Sequence, residues 1–234
     1  MLPTTVWYPE TTHLVGRCPL VVFAHGLDAR PSMYAALLRH VAAAGYVVAA
    51  PLFPISGSGL PGPPREDDMA NQALDLRAVI SGMTAAARPG HWLARTLDAR
   101  EVAVAGHSDG AETAAASVLV SQDQDPRISA VVLLAGQIPT WGEMRPLSIP
   151  TLVVQGGADT INPPQLSRDL YERLRAPKAY LAIAGADHMQ LVAAVGAGGR
   201  GVQKAFVDFL DAELRHDAAA RAALRREVSI ATQL

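Results

Sequence analysis

The chain has 234 residues, half of them hydrophobic, which is enough for a single domain with a large core and too little for two domains of ordinary size. The formal net charge is -2, with both signs interspersed and no run of Lys or Arg, so neither nucleic acid nor an acidic membrane surface is an expected partner. A single cysteine, Cys18, excludes an intramolecular disulfide and a thiolate metal cluster, and reads as a small apolar core or edge residue.

No apolar stretch reaches the length of a membrane span, and residues 1–9 lack the basic start and apolar middle of a signal peptide. The chain as given is therefore expected to be cytoplasmic. Residues 4–8 already read as a strand, however, so a trimmed N-terminus carrying an export signal, and hence a secreted protein, stays open as the other reading.

That first β-rich run is closed by Pro9, and residues 19–24 form a second, wholly apolar run of the kind buried on both faces in a parallel sheet. Residues 32–44 have helical spacing, with Pro31 at the start and Gly45 as the stop; residues 46–50 are the next strand, ended by Pro51. Residues 53–64 are dense in Gly, Pro and Ser, which excludes a regular element and leaves two readings, a mobile surface loop or a loop edging a binding cleft. Asp67 or Asp68 can cap a long helix running to about residue 87, on which Asn71, Asp75 and Arg77 read as a solvated face or local ion pairs.

A strand at 101–105, a sharp turn at 106–110 and an Ala-rich helix at 111–120 follow. Then come strands at 129–135 and 150–155, a helix at 164–175, a last strand at 179–183, and a long Ala/Leu/Arg helical segment from residue 201 onward. Strands alternating with helices imply a mostly parallel sheet covered on both faces through right-handed crossovers, with no internal repeat and no second domain.

The turn reads Gly106-His107-Ser108-Asp109-Gly110, a G-x-S-x-G pattern lying between a strand and a helix. Such a turn forces Ser108 into a strained conformation that exposes its hydroxyl, with the following helix N-terminus aimed at it; Ser108 is the candidate nucleophile. An ordinary strand-to-helix turn with a capping serine is the alternative, so partners are needed.

In open α/β sheets ligands bind at the carboxyl ends of the strands. The strand 150–155 delivers Asp159 there and the strand 179–183 delivers His188, giving the chain order Ser, Asp, His that a base-activated serine requires in this setting. Asp187 rivals Asp159 by adjacency to His188, but sequence neighbours in a turn point apart. The strand 19–24 ends in His25-Gly26-Leu27, where the Leu27 N–H could join the Asp109 N–H to hold an oxyanion. His25 is expected to orient this loop by hydrogen bonding rather than transfer protons, and His107 to pack. His25, His107 and His188 lack any metal-ligand spacing, so neither a metal nor a cofactor is expected.

With these residues in place, the chain resembles the α/β-hydrolase superfamily over nearly its whole length, the resemblance carried by His25-Gly26, the 106–110 turn, Gly157-Ala158-Asp159 and Gly185-Ala186-Asp187-His188. Its opening 2–9 and Phe23-Ala24-His25-Gly26 look like bacterial platelet-activating-factor acetylhydrolase-like, chlorophyllase-like and polyester-hydrolase-like esterases. The resemblance implies an α/β-hydrolase fold with its first strand missing and no cap domain, because only residues 136–149 intervene where caps are inserted. It implies a serine carboxylesterase for short- to medium-chain acyl esters, small or surface-presented, acting as a monomer or homodimer. Leu27, Trp141, Met144, Ile161 and Met189 are the candidate apolar walls, with local packing the alternative for Trp141, and Asp109 departs from these relatives, raising negative potential beside the site. An amidase, peptidase or acyltransferase using the same triad, and a non-catalytic binding protein on this fold, remain the alternatives.

Overall fold

The computed structural model describes residues 2–10, 16–193 and 196–232. The strands are β1 (Thr4–Trp7), β2 (Cys18–Ala24), β3 (Val47–Pro51), β4 (Leu97–His107), β5 (Ile128–Leu134), β6 (Thr151–Gly156), β7 (Lys178–Ile183) and β8 (Ile230–Thr232), and they form one sheet in the order β1-β3-β2-β4-β5-β6-β7-β8. β2 to β7 are mutually parallel, while the edge strands β1 and β8 run antiparallel to β3 and β7.

The apolar runs of β2 and β3 are buried along their whole length. Because successive side chains point to opposite faces, each strand feeds two cores. Val21 and Phe23 of β2 face α1 (Ala35–Ala43), α5 (Gly196–Leu214) and α6 (Ala218–Glu227), packing with Leu38, Val41, Phe206, Phe209 and Leu224. Leu20, Val22 and Ala24 face α2 (Met69–Ala86), α3 (Asp109–Leu119) and α4 (Pro164–Arg173), packing with Leu76, Ile80, Ala115, Leu119 and Leu170. Burying each such large side chain contributes roughly 1.5–3 kcal/mol, which is what fixes the helices to the sheet. A mostly parallel sheet with helices on both faces is the α/β-hydrolase arrangement. Among the described residues no helix is long and apolar enough to cross a membrane.

Several elements differ from expectation for identifiable reasons. The helix expected at 32–44 begins as a 3-10 turn, Pro31–Tyr34, and becomes α1 only at Ala35. Asp68 occupies the N-cap position of α2 without bonding a helix N–H, its carboxylate instead accepting from Asn71 Nδ2 at 2.7 Å. Arg77 is half-buried; its guanidinium donates to the Gln124 carbonyl at 2.6 Å and helps to hold the Asp125 carboxyl below its usual range.

The strand at 179–183 is not the last. The helical segment breaks after Leu214, where His216 takes a positive φ of 57° and Asp217 caps α6 by accepting from the N–H groups of Ala219 and Ala220 at 2.7 and 3.1 Å. Ser229 N–H then donates to the Tyr180 carbonyl at 2.8 Å, which turns the chain onto β7 as β8. Residues 233–234, the end of the expected helical segment, lie outside the described residues.

Candidate active site

β4 ends at His107 and α3 starts at Asp109, leaving Ser108 alone to make the turn with φ 57° and ψ -128°. A non-glycine residue there is strained by about 1–3 kcal/mol and is held only by its surroundings. The flanking glycines are required by close approach: a Cβ on Gly106 would lie 2.0 Å from the Gly110 oxygen, and one on Gly110 would lie 2.1 Å from the Ala24 oxygen. The Ser108 N–H donates to the Leu134 carbonyl at 3.0 Å, tying the turn to β5.

The loops after β6 and β7 meet beside it. His188 Nδ1 lies 2.8 Å from Asp159 Oδ2, and both residues are buried, at 6% and 3% exposure. A carboxylate only accepts, so the proton of this bond is on Nδ1, which in the neutral ring makes Nε2 the nitrogen with the lone pair. The rest of the Asp159 carboxylate is saturated: Oδ1 accepts from the N–H groups of Ile161 and Asn162 at 3.0 and 2.9 Å, and Oδ2 also from Gln155 Nε2 at 3.2 Å. Asp187 instead accepts from the N–H groups of Met189 and Gln190 at 3.0 and 2.8 Å, capping its own exposed turn.

His25 donates through Nδ1 to the Gly26 carbonyl at 2.8 Å and accepts at Nε2 from the Phe53 N–H at 3.0 Å. Burial pushes its pKa down, consistent with a neutral ring that orients a loop. Residues 53–64 back this same loop, because Asp28 N–H donates to the Ser56 carbonyl at 2.9 Å and Ser58 N–H to the Ala29 carbonyl at 2.8 Å. Phe53 and Ser56 are buried, and Ser56 Oγ accepts from Gln72 Nε2 at 2.8 Å while Gln72 Oε1 accepts from the Thr113 hydroxyl at 2.9 Å. Buried polar groups of this kind are stable only when all are paired.

His107 is fully buried and lies with its ring centroid 4.5 Å from that of His188. Burial first, and then the neighbouring His188, push its pKa down to about 3. Cys18, at the far end of β2, is free and buried, and burial raises its thiol pKa above the usual range.

Ser108 and His188 line one cavity of about 430 Å³ together with Leu27, Asp109, Ile161 and Met189. Met33, Tyr34, Glu66 and Asn162 also line it, and no local pattern in the sequence marks them; they arrive by tertiary folding. Trp141 and Met144 are elsewhere. The loop 136–149 folds back along the end of α3, with Ser121 N–H on the Glu143 carbonyl at 2.9 Å and Arg145 N–H on the Leu119 carbonyl at 2.7 Å. Trp141 consequently packs against the core and donates to Asp123 Oδ2 at 2.9 Å, and Met144 bridges to Val120.

The charged residues of the cavity lining are both acidic. Burial, reinforced by the Glu66 carboxylate, pushes the Asp109 pKa up to about 6, and its Oδ2 is buried without a partner. One helical turn on, burial pushes the Glu112 pKa up to about 8, with Oε1 accepting from Gln137 Nε2 at 2.6 Å.

A family model described as Chlorophyllase matches residues 3–143, more than half of the chain. The match spans β1 to β5, including the His25-Gly26 loop and the Ser108 turn, and ends before Asp159 and His188. No curated protein sequence matches the chain. The chain belongs to the chlorophyllase family, which points to an ester-hydrolysing enzyme of the α/β-hydrolase type.

Proposed function

We propose, with family membership as the premise, that the chain is a serine carboxylesterase acting on short- to medium-chain acyl esters. The observation that carries this reading is the buried, hydrogen-bonded His188–Asp159 pair opening on the same cavity as a serine held in a strained turn. In the proposed cycle His188 Nε2 takes the Ser108 hydroxyl proton as Oγ attacks the ester carbonyl, and Asp159 stabilises the imidazolium through Nδ1–H. The N–H groups of Leu27 and Asp109, residues that both line the cavity beside Ser108, receive the oxyanion. Collapse expels the alcohol with the proton from His188. Water, deprotonated in turn by His188, then attacks the acyl-enzyme; the acid leaves and Ser108 is restored.

Leu27, Ile161 and Met189 form the apolar wall, and a cavity of about 430 Å³ suits a short to medium acyl group. The acidic lining disfavours acyl groups that themselves carry a carboxylate. An organophosphonate tests the nucleophile directly: the expected result is one covalent adduct on Ser108, located by peptide mass spectrometry. A protein that stays unmodified under conditions that label a known serine esterase contradicts the reading.

A further inference from the structure

Of the loops the proposed reaction draws on, three carry the groups that meet the substrate: Leu27 after β2, Ser108 after β4 and His188 after β7. One buried chain of hydrogen bonds joins them. The Gly26 N–H donates to Tyr34 Oη at 3.0 Å, Tyr34 Oη lies 3.2 Å from His107 Nδ1, and His107 Nε2 lies 3.0 Å from the His188 carbonyl oxygen. The directions are forced. A carbonyl only accepts, so Nε2 of His107 carries its proton; Nδ1 is then an acceptor, and the Tyr34 hydroxyl donates to it. Tyr34 and His107 are each 1% exposed, so these bonds are shielded from bulk water.

From this geometry we infer that Tyr34 and His107 are positioning residues that set the Leu27 amide and the His188 imidazole against Ser108 as one unit. The inference rests on the serine-esterase reading. His107 is suited to the task because it stays neutral: a second cation whose ring centre lies 4.5 Å from that of His188 would oppose the imidazolium that forms when the serine proton is taken. Gly26 contributes by its proximity, since even a Cβ there would come within 3.0 Å of Ser108 Cβ. Misplacing reacting groups by about 1 Å can cost on the order of 10²-fold in rate, so small movements of this chain should be visible in turnover.

The test compares Tyr34→Phe, His107→Gln and His107→Leu with the wild type in ester hydrolysis and thermal unfolding, and reads the His107 tautomer by imidazole ¹⁵N NMR. Tyr34→Phe is expected to lower kcat by about tenfold or more while KM changes by less than about threefold. His107→Gln, whose amide can still donate to the His188 carbonyl, is expected to retain more of kcat than His107→Leu. A purely structural role lowers the unfolding midpoint but leaves kcat of the folded variants unchanged; that result, or equal kcat for Gln and Leu, overturns the inference. The NMR arm separates this failure from failure of the esterase reading. His107 is expected to remain a neutral Nε2–H tautomer between about pH 5 and 8, with its nitrogen shifts altered in Tyr34→Phe. A His107 that titrates in that range, or ignores the loss of the Tyr34 hydroxyl, overturns the linkage even in a protein that hydrolyses no ester.

Discussion

Asp109 stands where the proposed chemistry tolerates negative charge least, since its own amide is one of the two groups assigned to the oxyanion and the residue lines the cavity. With a pKa of about 6, that carboxyl is neutral in mild acid and anionic above it. A carboxylate beside a developing oxyanion opposes it by on the order of 1 kcal/mol when partly solvated, about fivefold in rate. The ratio of kcat/KM for Asp109→Asn over wild type is therefore expected to be near unity at low pH and to climb several-fold as pH rises through about 6. A ratio that is flat or falls with pH contradicts this role. At this scale the sequence was informative where a residue lies close past the end of an apolar strand, as Leu27, Ser108, Asp159 and His188 do. It was uninformative for Tyr34 and Glu66, which come from a 3-10 turn and a loop and reach the cavity only through packing. His107 could be read as packing, but its three-way linkage depends on partners 73 and 81 residues away.

Between elements, the coupling with most bearing on the cavity runs from α3 through Gln72 of α2 to the loop 53–64 and on to the loop carrying Leu27. Gln72 is wholly buried, and replacing it with leucine takes the donor from the buried Ser56 hydroxyl and one of the two acceptors of the Thr113 hydroxyl, which keeps the Asp109 carbonyl at 3.1 Å. Gln72→Leu is expected to cost about 1–3 kcal/mol of stability and to speed proteolysis and amide exchange in residues 53–64 more than elsewhere. Unchanged protection of that loop would show that Gln72 does not hold it and that buried Phe53 and the backbone bonds at Ser56 and Ser58 suffice. The parallel core strands were legible because their apolar runs leave no other placement. β8 was not: three residues after an Ala/Arg-rich helix carry no pattern of their own, and the strand exists only because Ser229 bonds to β7. The fold-back of 136–149 onto α3, which removes Trp141 and Met144 from the cavity, is likewise a matter of backbone hydrogen bonds that side-chain identity does not announce.

For the molecule as a whole, the topology brings the ends of β2, β4, β6 and β7 to one edge of the sheet, and the five residues assigned to the reaction arrive there from these four strands, Ser108 and Asp109 together after β4. The 136–149 segment lies on the flank of α3 instead of forming a cap, so the cavity is bounded by Leu27, Met33, Ile161 and Met189 and by the acidic pair Glu66 and Asp109. On the proposed reading, neutral esters of modest acyl length are the expected substrates. The most direct test is the rate of p-nitrophenyl ester hydrolysis across acyl lengths from acetate to palmitate, for wild type beside Ser108→Ala. The proposed mechanism predicts an optimum at short to medium chains and a loss of turnover of at least about 10³-fold in the variant. Equal, slow rates in the two proteins would contradict it.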